Sequence, residues 1–237
     1  SMDGLSALFV VIISVGAVAA VLYSRGYLAH CLAEKSPAHI SLHYTALVAM
    51  FYAMLGVVLS DGGFSFLFFW ELMTVASFLL ILFDAQRREV RRAALSYLIM
   101  MHIGFVLLVI GFVRLDAACG AATFGALGDY FRTQPGLPLL LVFLAGFGMK
   151  AGLFPMHVWL PEAHPAAPSH VSALMSGVMI KTGVYGVLRT AMYLPAGETL
   201  ATAGVILLGA GIVTGLWGVL LAAMQNDETE RKGCFGA

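Results

Sequence analysis

Along most of this chain apolar residues run on without the two-residue alternation of a half-buried strand or the three-to-four spacing of a surface helix. Seven such runs stand out: Leu5–Tyr23, Leu42–Leu59, Phe64–Phe83, Ala93–Val113, Leu137–Phe154, Val171–Met192 and Leu200–Met224. A helix rising about 1.5 Å per residue needs ~20 apolar residues to cross ~30 Å of hydrocarbon. The runs are 18 to 25 residues long, so each predicts a transmembrane helix. Barrel strands would be shorter and would alternate polar with apolar. The expected fold class is therefore all-α: a polytopic membrane bundle of about seven helices. Turn residues separate the runs at Asp61-Gly62-Gly63, Pro135-Gly136-Leu137-Pro138 and Pro195-Ala196-Gly197. Gly204, Gly209, Gly211, Gly215 and Gly218 stud the last run and include a GxxxG pair, which predicts close helix packing there.

Composition agrees with a bilayer protein. Of 237 residues, 60% are hydrophobic and 11% charged, against roughly 45–50% and ~25% in soluble domains. The 13 basic and 13 acidic residues cancel, which excludes a nucleic-acid binder with a basic surface and an acidic disordered tail. Cys31, Cys119 and Cys234 lie far apart with no CxxC, so neither a disulfide framework nor a zinc site is signalled. No basic segment precedes the first run, so it does not read as a signal peptide.

Basic residues also set the orientation. Connections after the first, third, fifth and seventh runs hold eight of the 13: Arg25, Lys35, Arg87, Arg88, Arg91, Arg92, Arg231 and Lys232. The opposite side holds three, Arg114, Arg132 and Arg189, and the remaining two, Lys150 and Lys181, fall inside runs. This predicts a multi-pass protein of the cytoplasmic (inner) membrane with its N-terminus outside. A chain beginning at Ser1 and entering a helix directly from the outside reads as a fragment.

Three charges fall where hydrocarbon is expected: Glu71 in the third run, Lys150 near the end of the fifth and Lys181 in the middle of the sixth. Each costs ~2.5–3.5 kcal/mol on insertion scales, so each needs a partner or a water cavity. Burial favours a lysine's neutral form and a nearby carboxylate its charged form. A carboxylate whose influence varies could therefore load and unload a lysine proton, and Glu71, Lys150 and Lys181 form a candidate proton relay. The alternative is a buried ion pair that fixes helix packing. Pro155 lacks an amide donor and clashes with the preceding turn, so the fifth helix should kink or break there. Such a break survives at membrane depth where it lines a cavity or is buried in protein.

His102 lies within the fourth run, where a neutral imidazole can either pass a proton between its nitrogens or hydrogen-bond as packing. His157, His164 and His170 surround the break as channel-lining candidates, for proton entry or interhelical hydrogen bonding. Their spacings of seven and six match no common metal motif. His30, His39 and His43, in or beside the first connection, are expected at the surface. No phosphate loop, activated nucleophile or cofactor-ligating histidine pair is visible, so the chain reads as non-catalytic, with no cofactor of its own.

Phe69-Trp-Glu-Leu-Met73 and Gly148-Met-Lys-Ala-Gly152, with Pro155-Met-His-Val-Trp-Leu-Pro161, resemble the antiporter-like subunits of respiratory complex I and of Mrp cation/proton antiporters. Ala163-His-Pro-Ala-Ala-Pro-Ser-His-Val-Ser-Ala-Leu-Met-Ser-Gly-Val-Met-Ile-Lys-Thr-Gly183 resembles one branch, hydrogenase-4 component B and formate hydrogenlyase subunit 3, membrane-arm proteins of group 4 nickel–iron hydrogenases. Asp3-Gly-Leu-Ser-Ala and Leu22-Tyr-Ser-Arg-Gly-Tyr27 fit the third helix of that branch.

The resemblance covers residues 1–227 as a partial antiporter-like domain, helices three to nine of about fourteen, and leaves 228–237 as a divergent polar tail. It implies a half-channel for protons with Glu71, Lys150 and Lys181 at the family's charged positions and His102 at a position seen in the hydrogenase branch. It further implies neighbouring membrane-arm subunits and a peripheral hydrogenase or dehydrogenase arm carrying Ni–Fe and Fe–S centres. Na+ is the alternative ion, in a complex I or Mrp-type subunit. Readings of another class are a non-conducting membrane anchor and a nonfunctional fragment.

Overall fold

A computed structural model describes residues 3–31 and 35–224, apart from the side chains of His30, Cys31 and Glu198. The tail at 228–237, with Arg231 and Lys232, lies outside the described residues. Every apolar run is helical over most of its length, the fifth leaving the helix at Gly152. The helices are α1 (Gly4–Cys31), α2 (Pro37–Leu59), α3 (Gly63–Ile81), α4 (Arg88–Cys119), α5 (Ala126–Thr133), α6 (Gly136–Ala151), α7 (Leu160–Ala166), α8 (Ser169–Leu174), α9 (Ile180–Ala191) and α10 (Glu198–Met224). A wide π turn, Met175–Met179, joins α8 and α9 into one span. Six helices, counting α8–α9 as one, are long and apolar enough to cross a membrane, and α6 is a shorter apolar helix. The protein is a polytopic helical membrane bundle.

Local chemistry sets several boundaries. Ser36 caps α2, its hydroxyl accepting from the His39 amide, and Pro37 opens the first turn, where its missing N–H is harmless. α4 stops at Gly120, which takes the left-handed conformation at φ 69°. The short α5 was not expected from the sequence. It presents Leu127, Tyr130 and Phe131 inward and Asp129 and Arg132 outward.

α2 lies along α3, α4 along α6, and α6 along α9. An aromatic cluster joins the centre: Phe66 meets Phe124 at 5.1 Å, Phe112 meets Phe143 at 5.1 Å, and Trp70 meets Phe147 at 5.4 Å. The α6–α9 contact depends on Gly183. A Cβ there would sit 2.6 Å from the Ala151 amide nitrogen and 2.8 Å from the Phe147 carbonyl oxygen. The glycines of α10 behave otherwise than expected. Gly204, Gly209, Gly211 and Gly215 face open space, so the intimate glycine contacts lie on other helices, Gly56, Gly104, Gly183 and Gly186 among them, rather than at the GxxxG of the last helix. A GxxxG spacing permits close approach without supplying the partner.

Polar groups tie the connections at each end. At one end Arg189 pairs with Asp3 and lies 3.9 Å from Asp61, while Gly62 bridges to Thr123. At the other, Lys35 meets Asp84 at 2.6 Å and the His39 ring contacts the Phe83 carbonyl at 2.9 Å. Arg189, near the end of the sixth run and counted with the residues outside the hydrocarbon, lies in the last turn of α9 and is 3% exposed. Two carboxylates from distant segments make that burial tolerable.

Candidate functional site

The site begins with the shortness of α6. Sixteen residues span about 24 Å, less than the ~30 Å of hydrocarbon, so a helix that starts at one face ends inside the membrane. The break falls at Ala151, four residues before Pro155. Gly152 adopts φ 72°, and the amides of Gly152 and Leu153 both donate to the Gly148 carbonyl. The Trp159 indole N–H satisfies another carbonyl of that last turn, donating to Met149 O at 2.9 Å. Pro155 then lies in the irregular stretch 152–159, where its missing amide removes no helical bond.

Lys150 occupies this last turn and is 1% exposed. Its Nζ donates to Thr74 Oγ1 on α3 at 3.0 Å and stands 4.7 Å from the centre of the Trp70 ring. The negative end of the α6 dipole and the ring face both favour a positive charge there. Thr74 in turn donates to the Trp70 carbonyl, and Ser77, one turn on, donates to the Thr74 carbonyl and meets the Tyr97 hydroxyl of α4 at 2.5 Å.

Glu71 shares α3 with Thr74, three residues earlier and so on a neighbouring face. Its Oε1 lies 3.1 Å from His102 Nε2 on α4. Its Oε2 is buried with no hydrogen-bond partner. The carboxylate lines a groove of about 760 Å³ between α3 and α4, with Phe64, Phe68, Phe105 and Asp116 along its walls. His102 is half exposed beside it. Among the described residues no ion pair joins Glu71 to Lys150: Lys150 bonds to Thr74 and Glu71 meets His102.

Lys181 stands apart. Gly183 faces α6, and two helical residues turn ~200°, so Lys181 points off that contact. It is exposed and makes no hydrogen bond or ion pair among the described residues. The structure thus pairs Lys150 with Thr74 and Glu71 with His102, and leaves Lys181 on an outer face.

The three histidines near the break do not converge. His157 is buried and stacks on Phe154 at 5.7 Å. His164 bonds through Nδ1 to the Ser172 hydroxyl, and burial lowers its pKa. His170 instead meets His43 of α2, Nε2 to Nε2, at 2.7 Å. Among the described residues no three His, Cys, Asp or Glu side chains could hold a metal ion.

His43, expected at the surface, is buried: it lies one turn beyond His39, where α2 has turned toward the core. Thr74, Ser77 and Tyr97 were also missed by the sequence reading. Their one legible signal is the three-residue spacing of Glu71, Thr74 and Ser77, a polar stripe on an otherwise apolar helix.

Comparison with known proteins identifies the family. Residues 60–229 match the model of the NADH:quinone oxidoreductase/Mrp antiporter transmembrane family. The chain belongs to that family. It is 37% identical over 232 residues to hydrogenase-4 component B of Escherichia coli K12, an alignment covering 95% of this chain and 33% of that protein. The chain thus spans about a third of the length of the curated relatives it matches. Among solved structures it is similar to a chain of the membrane-bound sulfane sulfur reductase, an archaeal respiratory membrane complex. The TM-score is 0.82 at 27% identity, over 99% of this chain and 38% of that one. A chain of the Mrp complex from Dietzia shares the fold, with a TM-score of 0.73 at 24% identity over 81% of this chain and 21% of that one.

Proposed function

We propose that this chain is part of a proton-translocating membrane subunit of a respiratory-type oxidoreductase complex, of the hydrogenase-4 or formate hydrogenlyase kind. The observation that carries this reading is Lys150, a fully buried amine at the end of a helix that stops inside the membrane, held by one hydroxyl. A cation there is expensive without a counter-charge, and a neutral amine forgoes the dipole and the ring face, so small electrostatic changes move its proton. Glu71 with His102 loads and unloads it, and Lys181 carries the proton onward. Because Lys181 lacks a partner among the described residues, its next station comes from other parts of the assembled protein.

In this reading the chain holds no redox cofactor. Ni–Fe and Fe–S centres lie in partner subunits of a peripheral arm, and their electron transfer drives the proton movement. The membrane is the cytoplasmic membrane of a bacterium or archaeon, with the start of α1 outside; the eight-to-three distribution of basic residues supports that orientation.

The test is Lys150→Ala in the complete subunit within its complex, followed by proton uptake into inside-out vesicles with a pH-sensitive dye. Transport is lost while assembly persists. Unchanged pumping overturns the reading. Replacing Na+ with choline separates proton pumping from Na+/H+ exchange of the Mrp kind.

A further inference from the structure

One buried pair has no part in that relay: His43 on α2 and His170 in the first turn of α8. Their Nε2 atoms lie 2.7 Å apart, and the residues are 4% and 2% exposed. At that separation one nitrogen carries the hydrogen and the other accepts it. Each Nδ1 is buried with no protein hydrogen-bond partner. In a neutral pair these two Nδ1 atoms differ in kind. On the donating ring Nδ1 is a bare acceptor, and on the accepting ring it carries a proton. Buried polar groups are ordinarily satisfied, so an open acceptor and an open donor flanking one shared proton need an explanation.

The surroundings supply one. The His43 ring packs on Phe83 at 4.8 Å, and Phe83 with Lys35 and His39 lines a cavity of about 330 Å³ at this end of the bundle. That volume holds several waters. Around the pair, α1 contributes Tyr27, 5.3 Å from His170, and α2 contributes His39 and Tyr44. The acid of the adjoining connection, Asp84, is held by Lys35. Among the described residues no carboxylate contacts the pair, so no counter-charge holds a second proton on it.

We propose that His43 and His170 form a two-ring proton wire leading from the Lys35–His39 cavity into the bundle, with water at each Nδ1. A cavity water gives a proton to His43 Nδ1, the His43 Nε2 proton passes to His170 Nε2, and the His170 Nδ1 proton leaves to the next water. One proton enters and one leaves; both rings exchange tautomers and reset by ring rotation or proton return. The wire rests on the reading of the subunit as a proton translocator.

Two measurements test it, both on the complete subunit in its complex. Exchange of the imidazole C2 hydrogen for deuterium needs a ring that is protonated and reached by water, and mass spectrometry of peptic fragments resolves each histidine. His43 and His170 exchange within about tenfold of His39 in the wild type; protection far beyond that, as for a sealed core residue, overturns the wire. Glutamine keeps a hydrogen bond but cannot take up a proton, so H43Q and H170Q each slow dye-reported proton uptake by about tenfold or more. Two packing defects would add, whereas two cuts in one wire do not, so the double variant is no slower than the slower single one. If wild type pumps, K150A does not, and H43Q and H170Q both pump at the wild-type rate, the wire alone fails. If wild type does not pump, or K150A pumps normally, the reading beneath it fails. Where a glutamine variant does not assemble, the exchange rates of the wild type decide.

Discussion

Lys150 on α6 reaches across to α3 and donates to the hydroxyl of Thr74 at 3.0 Å. That bond is the one hydrogen bond of this buried amine among the described residues, and Thr74 is bounded on α3 by Glu71 on one side and Ser77 on the other. A membrane charge usually gathers several polar partners. Here a single hydroxyl sets the position of the amine.

Replacing Thr74 with valine keeps the shape and removes the acceptor. An unsatisfied buried donor costs roughly 1–3 kcal/mol, so proton uptake in Thr74→Val falls by about tenfold. Thr74→Ser retains the hydroxyl and most of the rate. Equal transport by both variants in the vesicle assay would show that Lys150 does not depend on this bond.

The Glu71–His102 contact makes a different forecast. Glu71→Gln abolishes uptake, while His102→Ala lowers it by removing the partner at 3.1 Å. Because the two act as one unit, the double variant is no worse than Glu71→Gln alone. Additive losses would separate the two residues.

Helix packing can be tested without any transport assay. The hypothetical Cβ at Gly183 collides with backbone atoms of α6, which cannot swing aside as a side chain can. Gly183→Ala therefore destabilises the protein by about 1–3 kcal/mol. Gly211→Ala, on α10 where nothing lies within 4 Å, is neutral or slightly stabilising. Thermal melts in detergent of the two variants should move in opposite directions or differ clearly in size.

Asp3 links stability to pH. The Ser6 backbone amide, and then the Arg189 guanidinium, hold its carboxyl below the usual range. Its folded pKa is lower than its unfolded one, so the unfolded chain binds the extra proton between the two values. The contribution is fully present above the ordinary carboxylate pKa of ~3.9 and disappears as pH falls through the folded value. Melts taken downward from pH 5 show this acid loss in the wild type and a shallower loss in Asp3→Asn. Identical slopes would mean that the Asp3 pairing adds nothing to stability.

The transmembrane helices were legible because each is a uniform local property: a bilayer requires about twenty apolar residues whatever they pack against. Their ends were less legible. α4 begins at Arg88, five residues before its apolar run, because an exposed helix tolerates Arg91 and Arg92 outside the hydrocarbon. Neither α5 nor the π turn at Met175–Met179 could be read, since tertiary packing decides both. Glu71, Lys150, Lys181 and His102 were conspicuous as polar exceptions inside apolar runs.

Thr74 and Ser77 were not conspicuous, because small hydroxyls are common in membrane helices and satisfy themselves on their own backbone, and Tyr97 reads as one more aromatic in an apolar run. Thr74 does so with Trp70 O at 3.1 Å and Ser77 with Met73 O at 2.6 Å. The burial of Arg189 was not legible for a related reason. Its partner Asp3 is 186 residues away, and no local rule announces so distant a counter-charge.

The break after α6 leaves one amide aimed away from its own helix. Phe154 N–H donates to Thr214 Oγ1 on α10 at 3.0 Å, and the Phe154 ring rests against Trp217 at 5.2 Å. α10 is the most exposed of the spans and also packs near α6 and α9 through Ala203, Ile206 and Leu207, so this latch is one of its links to the bundle. Any shift of the segment beside Lys150 pulls on α10 first, and a spin label placed along α10 would register the motion as a lever registers its fulcrum.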